Sequence, residues 1–132
     1  MAEGAAVRVF KNRWFEKFAH KQEISDAALI NAIDRAEAGL IDADLGGGII
    51  KQRVARKGEG KSGGYRTVVA FRSGDRAMFL FGFAKSGRAN LSTVELTQFR
   101  VIGRAFLKAK AADVERAIAK GLFSEVRNDE GL

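Results

Sequence analysis

Two apolar segments in the middle of the chain constrain its fold most, because only three residues separate them. Segment 64–72 reads GYRTVVAFR, segment 76–85 reads RAMFLFGFAK, and the tripeptide between them is SGD. Two strand-like runs joined by a short turn that contains glycine predict a β-hairpin. The second run is apolar at consecutive positions, MFLFGF, which predicts a central strand covered on both faces or on one face beside a cleft. A chain with such a hairpin needs further elements to pack against it.

The sequence around the hairpin predicts two more strands and four helices. Residues 5–10 read as a short strand, and residues 48–55 place apolar and basic side chains on opposite faces of another. Asparagine and serine N-caps mark three helix starts, and glycine marks two helix ends. The predicted helices run from Asn12 to about 20, from Ser25 to Gly39, from Ser92 to about 107 and from 111 to about 120.

The predicted element order is β-α-α-β-β-β-α-α. Because consecutive strands joined by short turns pair antiparallel, we expect an α+β fold with a small, mainly antiparallel sheet and helices packed on one face. Apolar side chains at helical spacing on the first and third helices are predicted to face this sheet. They are Trp14, Phe15 and Phe18 on the first helix, and Leu96, Phe99, Ile102, Gly103 and Phe106 on the third.

Length and residue content limit the class of protein. With 132 residues, the chain is expected to be one domain over residues 1–132, with a polar tail that frays after about residue 126. The absence of cysteine excludes disulfide scaffolds, thiol catalysis and cysteine-ligated metal centres. No apolar run approaches the roughly 20 residues of a membrane span, and the acidic start does not resemble a signal peptide. We therefore expect a cytoplasmic protein without a membrane partner.

Basic residues are concentrated in one part of the chain. The net charge is +7 overall, but residues 49–90 carry ten basic side chains and two acidic ones, a net charge of +8. The ten are Lys51, Arg53, Arg56, Lys57, Lys61, Arg66, Arg72, Arg76, Lys85 and Arg88. Positive charge concentrated in one block predicts a polyanionic partner such as a nucleic acid.

The segment ARKGEGKS at 55–62 is similar to a phosphate-binding P-loop but departs from it in two ways. Ala55 stands where the motif has its first glycine, and the residues that follow predict a strand, whereas the motif requires a helix. We therefore predict a glycine-rich basic loop over 56–63, which lets Lys57 and Lys61 approach a phosphate-bearing ligand.

Four cations are predicted to converge at one end of the sheet. Strand alternation puts Lys51 and Arg53 on the same face, Arg66 begins the next strand, and Lys85 ends the one after it. Such a cluster binds phosphates, and like-charge repulsion lowers the pKa of a lysine so that it can transfer protons near neutral pH. The alternative is an ordinary solvated sheet face.

Three other groups of residues have side chains capable of chemistry. His20, the single histidine, is interpreted as a surface or helix-end charge, far in sequence from the basic block. Asp42 and Asp44 could bind a metal, but a turn-forming or solvated role is favoured, and no metal or cofactor is expected. Alternating aromatic side chains could stack on bases as in RNA-binding sheets, although a core role is favoured. They are Phe79, Phe81 and Phe83.

Long stretches of the chain resemble one family of small bacterial proteins. The combination of LGGGIIKQR, GKSGGYR and GFAKS, together with the opening VFKNRWFEKFAHKQEISDAALINAIDRAEAGLID, is similar to the HigB-type branch of the RelE/ParE toxin superfamily. The resemblance covers about residues 5–110. It implies the toxin half of a type II toxin–antitoxin pair, an α+β fold, and metal-independent cleavage of mRNA on the ribosome by attack of a 2′-hydroxyl on the adjacent phosphate. It also implies a cognate helix-turn-helix antitoxin.

The resemblance also assigns roles to residues of this chain. The catalytic positions of the superfamily fall at Lys51, Arg53, Arg66 and Lys85. Arg66 is expected to clamp the phosphate, Lys51 and Lys85 to transfer protons, and Arg53 to stabilise the developing charge. The expected RNA-binding residues are Arg56, Lys57, Lys61, Tyr65 and Arg88, although strand parity puts Tyr65 on the face opposite Arg66.

One departure from the family pattern keeps two other functions open. Some relatives carry a tyrosine shortly after the last central strand, but SGRANLSTVEL contains none, so the general base is not assigned. ParE-type relatives inhibit DNA gyrase and cleave no RNA, which is the alternative function. A nucleic-acid-binding module without activity is the third. DNA breaks would indicate the gyrase inhibitor, and binding without growth arrest would indicate the binding module, whereas an mRNA endoribonuclease would cut transcripts.

Overall fold

Ten regular elements form the part of the chain that the structure, a computed structural model, describes: residues 7–55, 64–84 and 90–127. They are β1 (Arg8–Asn12), α1 (Arg13–Lys21), α2 (Asp26–Glu37), β2 (Ala43–Gly46), β3 (Ile49–Val54), β4 (Tyr65–Arg72), β5 (Arg76–Ala84), α3 (Thr93–Lys108), α4 (Ala111–Ala119) and β6 (Phe123–Val126). The predicted basic loop 56–63 and the end of the tail lie outside the described residues.

The strands form one sheet in the order β2-β3-β4-β5-β1-β6. Of the five strand pairs in the described ranges, β1–β5 is parallel and the other four are antiparallel. The predicted hairpin joins β4 to β5 through residues 73–75, with Gly74 at a φ of +74°. The α+β class and the mainly antiparallel sheet are therefore confirmed. The sequence missed β2 and β6, because four-residue edge strands carry too little periodicity to be recognised.

The turn between β2 and β3 explains the run of three glycines. Gly46, Gly47 and Gly48 all have positive φ angles, between +66° and +84°, a region that side chains other than glycine rarely enter. A Cβ on Gly48 would also lie 2.6 Å from the Leu107 side chain of α3. The turn therefore needs glycine both for its backbone and for the approach of α3.

Helices cover both faces of the sheet, which corrects the prediction that they pack on one face. One core cluster joins α1 and α2 to side chains such as Val9 and Ile50, and this side is called the α1/α2 face. The other joins α3 and α4 to Phe10 and Ile49, and this side is called the α3/α4 face. Adjacent strand residues point to opposite faces, so strands that are apolar at consecutive positions need cover on both sides.

Side-chain caps begin the first three helices where the sequence predicted. Asn12 Oδ1 accepts a hydrogen bond of 2.7 Å from the Phe15 amide, and Ser25 Oγ accepts one of 3.1 Å from the Ala28 amide. Ser92 begins α3 with a complete capping box. Each cap satisfies an amide that the helix itself leaves without an acceptor.

The buried side of α3 differs from the predicted stripe at one position. Ile102 was expected to face the sheet but is 47% exposed, whereas Leu107 is buried. Gly103 sets this orientation, because it lies so close to the sheet that a Cβ would be 2.6 Å from Ile49 Cδ1. With Gly103 against the sheet, Phe106 and Leu107 follow it inward and Ile102 points outward.

Arg76 stabilises the end of α3, and its removal should destabilise the fold. Its side chain is 13% exposed, and Nη1 donates hydrogen bonds to the carbonyls of Phe106 (3.0 Å) and Ala109 (2.8 Å). We expect Arg76→Ala to lower the free energy of unfolding by about 1.5–3 kcal/mol, because two carbonyls lose a charged donor. Urea unfolding measures this. Arg72→Ala is the control, since Arg72 is exposed and pairs with Asp75 at the surface of the hairpin turn, and an equal loss in both variants would contradict the assignment.

The edge strand β6 is held to β1 by an ion pair that should make stability pH-dependent. Arg8 donates to both carboxylate oxygens of Glu125, at 3.0 and 2.9 Å, and also binds Glu115. The hydrogen bonds from Arg8 hold the pKa of Glu125 below its ordinary 4.5. A lowered folded-state pKa contributes stability above pH 4.5 and loses it as the pH falls through the folded-state value. Thermal unfolding from pH 7 to 3 should show a smaller decline for Glu125→Gln than for the wild type; identical profiles would contradict this.

Candidate nucleic-acid interface

Three of the predicted cationic residues lie together on the α3/α4 face. In β3, Ile50 and Val54 pack on the α1/α2 face, so the alternate residues Lys51 and Arg53 point to the other side. Arg53 lies directly opposite Arg66 of β4, and paired residues share a face. We call Lys51, Arg53 and Arg66 the basic surface. The buried residues of α3 lie in its second half, against Ile49 and Ala70 near the far end of β3 and β4.

Arg66 carries a buried polar atom that the described residues leave unsatisfied. Its Nη1 is shielded from solvent and has no hydrogen-bond partner in the described ranges. A buried donor without an acceptor costs about 1–3 kcal/mol, so folded proteins rarely keep one without a reason. Arg66 lies between Arg53 and Phe83 on neighbouring strands. Its planar guanidinium suits two phosphate oxygens, and a bound phosphate would supply the missing acceptor.

The other two residues of the basic surface are held differently. Lys51 Nζ lies 3.4 Å from Asn90 Oδ1, a contact that the sequence gave no reason to expect. The side chain of Arg53 is exposed, whereas its backbone is fixed on both sides. Its amide donates to Asp42 Oδ2 at 2.7 Å, and its carbonyl accepts a hydrogen bond from Arg35. The backbone that presents Arg53 is therefore anchored to the loop before β2 and to α2.

Asp42 and Asp44 organise the backbone around β2, as the turn-forming interpretation predicted. Asp42 accepts from the Arg53 amide, and Asp44 Oδ1 accepts from the Gly46 amide at 2.9 Å. Within the three described ranges, no group of three or more histidine, cysteine, aspartate or glutamate residues could hold a metal ion.

A β-bulge divides the aromatic residues of β5 between the two faces of the sheet. Val68 pairs with Phe81 and Val69 pairs with Phe79, which leaves Leu80 as the extra residue. Phe79 therefore packs on the α1/α2 face, with its ring centroid 5.0 Å from that of Phe15, whereas Phe81 packs on the α3/α4 face. The prediction that these rings share one face is therefore corrected, whereas the favoured core role is confirmed for Phe79 and Phe83, which are buried.

Tyr65 does not belong to the basic surface, which corrects its placement among the RNA-binding residues. It is 2% exposed, its hydroxyl donates to Gln22 Oε1 at 3.0 Å, and its ring lies 5.6 Å from that of Phe18. These contacts place it on the α1/α2 face, opposite Arg66, as strand parity indicated. Its aromatic ring is used for packing between β4 and α1.

The remaining predicted residues lie at a helix end or outside the described ranges. His20 lies exposed in the last turn of α1, as expected. Lys85 and the four remaining members of the predicted RNA-binding set lie outside the described residues; these four are Arg56, Lys57, Lys61 and Arg88. Across the described ranges, no helix is both long and apolar enough to span a lipid bilayer.

The fold and the basic surface together define a small α+β protein with a cationic sheet face suited to a polyanion. The sequence profile of the family described as the RelE toxin of the RelE / RelB toxin–antitoxin system matches residues 7–126. The chain belongs to the RelE toxin family. It is thus the toxin of a toxin–antitoxin system, with an antitoxin as its partner. No curated protein sequence gives a significant match. The assignment to the HigB-type branch stays a prediction.

Proposed function

We propose that the protein is an endoribonuclease that cleaves mRNA on the ribosome, without a metal, and that the basic surface binds the scissile phosphate. The observation that carries this proposal is the buried Nη1 of Arg66, a donor to which the described residues offer no acceptor, beside two further cations. Membership of a toxin family supports a function that arrests growth, and an RNA phosphate would supply an acceptor for the Arg66 guanidinium.

The proposed reaction needs charge stabilisation more than covalent chemistry. The 2′-hydroxyl loses its proton and its oxygen bonds to the adjacent phosphorus, while the bond from phosphorus to the 5′ oxygen breaks and that oxygen gains a proton. The products are a 2′,3′-cyclic phosphate and a 5′-hydroxyl. Arg66 binds the phosphoryl oxygens, and Arg53 stabilises the negative charge that develops there. Lys51 and Lys85 are the proposed groups for proton transfer.

The chemistry of the RNA ends tests this proposal. After the toxin is induced in growing cells, we expect transcripts to be cut within translated regions and to carry 5′-hydroxyl ends. In vitro, purified toxin should cut an mRNA on programmed ribosomes faster than the same mRNA alone. Ends that carry a 5′-phosphate would contradict cleavage by the 2′-hydroxyl. Intact transcripts accompanied by DNA breaks and an SOS response would instead support a gyrase inhibitor.

The partner can be tested in the same cells. Co-expression of a neighbouring gene for a small helix-turn-helix protein should restore growth, and the two proteins should copurify, because an acidic segment can neutralise the basic surface. Toxicity that persists without formation of a complex would contradict the proposed identity of the antitoxin.

A further inference from the structure

A half-exposed tryptophan lies at the same end of the sheet as the basic surface, where the sequence predicted a buried one. Trp14 belongs to the first turn of α1 and is 45% exposed. Trp14 is exposed because β1 is shorter than β5. Strand β1 ends at Asn12, whose side chain donates a hydrogen bond to the Leu80 carbonyl, whereas β5 continues to Ala84. Trp14 therefore lies beside the part of β5 that has no β1 residue next to it.

The ring of Trp14 is held in place by aromatic neighbours from both faces of the sheet. It stacks on Phe18, with ring centroids 5.2 Å apart and an interplanar angle of 16°, and it lies 4.6 Å from Phe81. Phe18 in turn packs so closely over Gly82 that a Cβ there would lie 2.7 Å from its ring. The indole is thus positioned before any ligand binds, while much of its surface remains open to solvent.

Strand pairing connects this ring to the cations. Lys51 lies opposite Val68, and Val68 lies opposite Phe81, so one row of paired residues runs from Lys51 to the ring that contacts Trp14. Neighbouring strands are about 4.8 Å apart, which puts the backbones of Lys51 and Phe81 roughly 10 Å from each other. The adjacent row holds Arg66. At this end of the sheet, the cations therefore lie on β3 and β4, whereas the aromatic rings lie on β5 and α1.

We propose that Trp14 stacks on a nucleobase of the RNA strand whose phosphate the basic surface binds. The inference rests on the proposed function, because it names the residue that contacts a base of the RNA whose phosphate the basic surface is proposed to bind. Proteins that bind single-stranded nucleic acid combine a cationic track for the backbone with aromatic side chains for the bases. Trp14 is a positioning residue in this arrangement, since it orients the nucleotide and touches no reacting atom.

The chain provides its own probe, because Trp14 is the single tryptophan of the sequence. A short single-stranded RNA with 2′-O-methyl groups lacks the attacking hydroxyl, so it can serve as a binding probe that is not cleaved. We expect titration of the purified full chain with this RNA to quench the tryptophan fluorescence, because stacking brings a base against the indole. The same oligonucleotide with abasic positions keeps every phosphate but should leave the fluorescence unchanged.

Affinity measurements on variants complete the test. By anisotropy of a labelled RNA, Trp14→Ala should bind about 5- to 150-fold more weakly than the wild type, whereas Trp14→Phe, which keeps a ring, should lose much less. Leu122→Ala removes an exposed apolar side chain elsewhere and should not change binding. Circular dichroism confirms that each variant folds.

The outcomes separate this inference from the proposed function. If RNA binds but neither quenches Trp14 nor prefers bases over abasic positions, base stacking is wrong while binding of phosphate stands. If Trp14→Phe weakens binding as much as Trp14→Ala, the indole does not act as a stacking surface. If neither oligonucleotide binds the wild type, base stacking is also wrong; cleavage on ribosomes then decides the proposed function separately.

Discussion

Arg66→Ala is expected to abolish growth inhibition while the chain remains folded. The substitution removes the guanidinium proposed to bind the scissile phosphate, and loss of one preorganised charge at a developing oxyanion reduces the rate about 10²–10³-fold. It also removes a buried donor that has no partner among the described residues, so the substitution should not lower stability through the loss of a hydrogen bond at that atom. Growth after induction and the rate of cleavage on ribosomes measure the effect, and circular dichroism measures folding.

Arg72 provides a matched control on the same strand. It lies at the other end of β4, exposed, and binds Asp75 in the hairpin turn. Arg72→Ala should therefore keep full toxicity. Lys51→Ala should approach the loss seen in Arg66→Ala if Lys51 transfers a proton. Equal losses for Arg66→Ala and Arg72→Ala would indicate diffuse attraction to RNA, and full toxicity of Arg66→Ala would reject the site.

Gln52→Leu should destabilise the fold more than any of the other substitutions proposed above. Gln52 is fully buried in β3, between the two basic residues but on the opposite face. Its side chain donates to the carbonyls of Ala32 and Leu40, both at 3.0 Å, and accepts from the Asp42 amide at 3.1 Å. Leucine would leave these backbone groups without their partner, at a cost of about 1–3 kcal/mol for each one left buried and unsatisfied.

Urea unfolding tests this prediction against an exposed position. We expect the free energy of unfolding to fall by about 3 kcal/mol or more for Gln52→Leu, and by less than about 0.5 kcal/mol for Gln98→Leu on the exposed side of α3. Similar values for the two variants would mean that the hydrogen bonds of Gln52 contribute little.

Local patterns in the sequence were sufficient to predict several elements of the fold. The hairpin, the N-caps at Asn12 and Ser25 and the capping box of Ser92 were all predicted, because each depends on residues within a few positions. The shared face of Lys51 and Arg53 also followed from strand alternation alone. The family resemblance then identified the superfamily, and the match to residues 7–126 confirms it at the level of RelE toxins.

The features that the sequence did not predict depend on contacts between distant segments. The bulge at Leu80 puts Phe79 and Phe81 on opposite faces of the sheet. The alternating aromatic residues do not predict this bulge, because it depends on how β5 pairs with β4. The sequence placed Arg76 at the start of the second strand of the hairpin, but its side chain stabilises a helix end thirty positions away. Likewise, Trp14 is exposed because β1 ends before β5 does.

The sequence by itself therefore determined the types and approximate bounds of the elements other than the edge strands β2 and β6, and the face of β3 that carries its cations. These properties follow from local propensity, capping and the two-residue period of a strand. Only the tertiary structure decided that helices cover both faces, that Gln52 closes a buried set of backbone groups and that, among the described residues, the Nη1 of Arg66 is buried without an acceptor. Burial and hydrogen bonding are set by which surfaces meet, and in this protein those surfaces come from residues far apart in the chain.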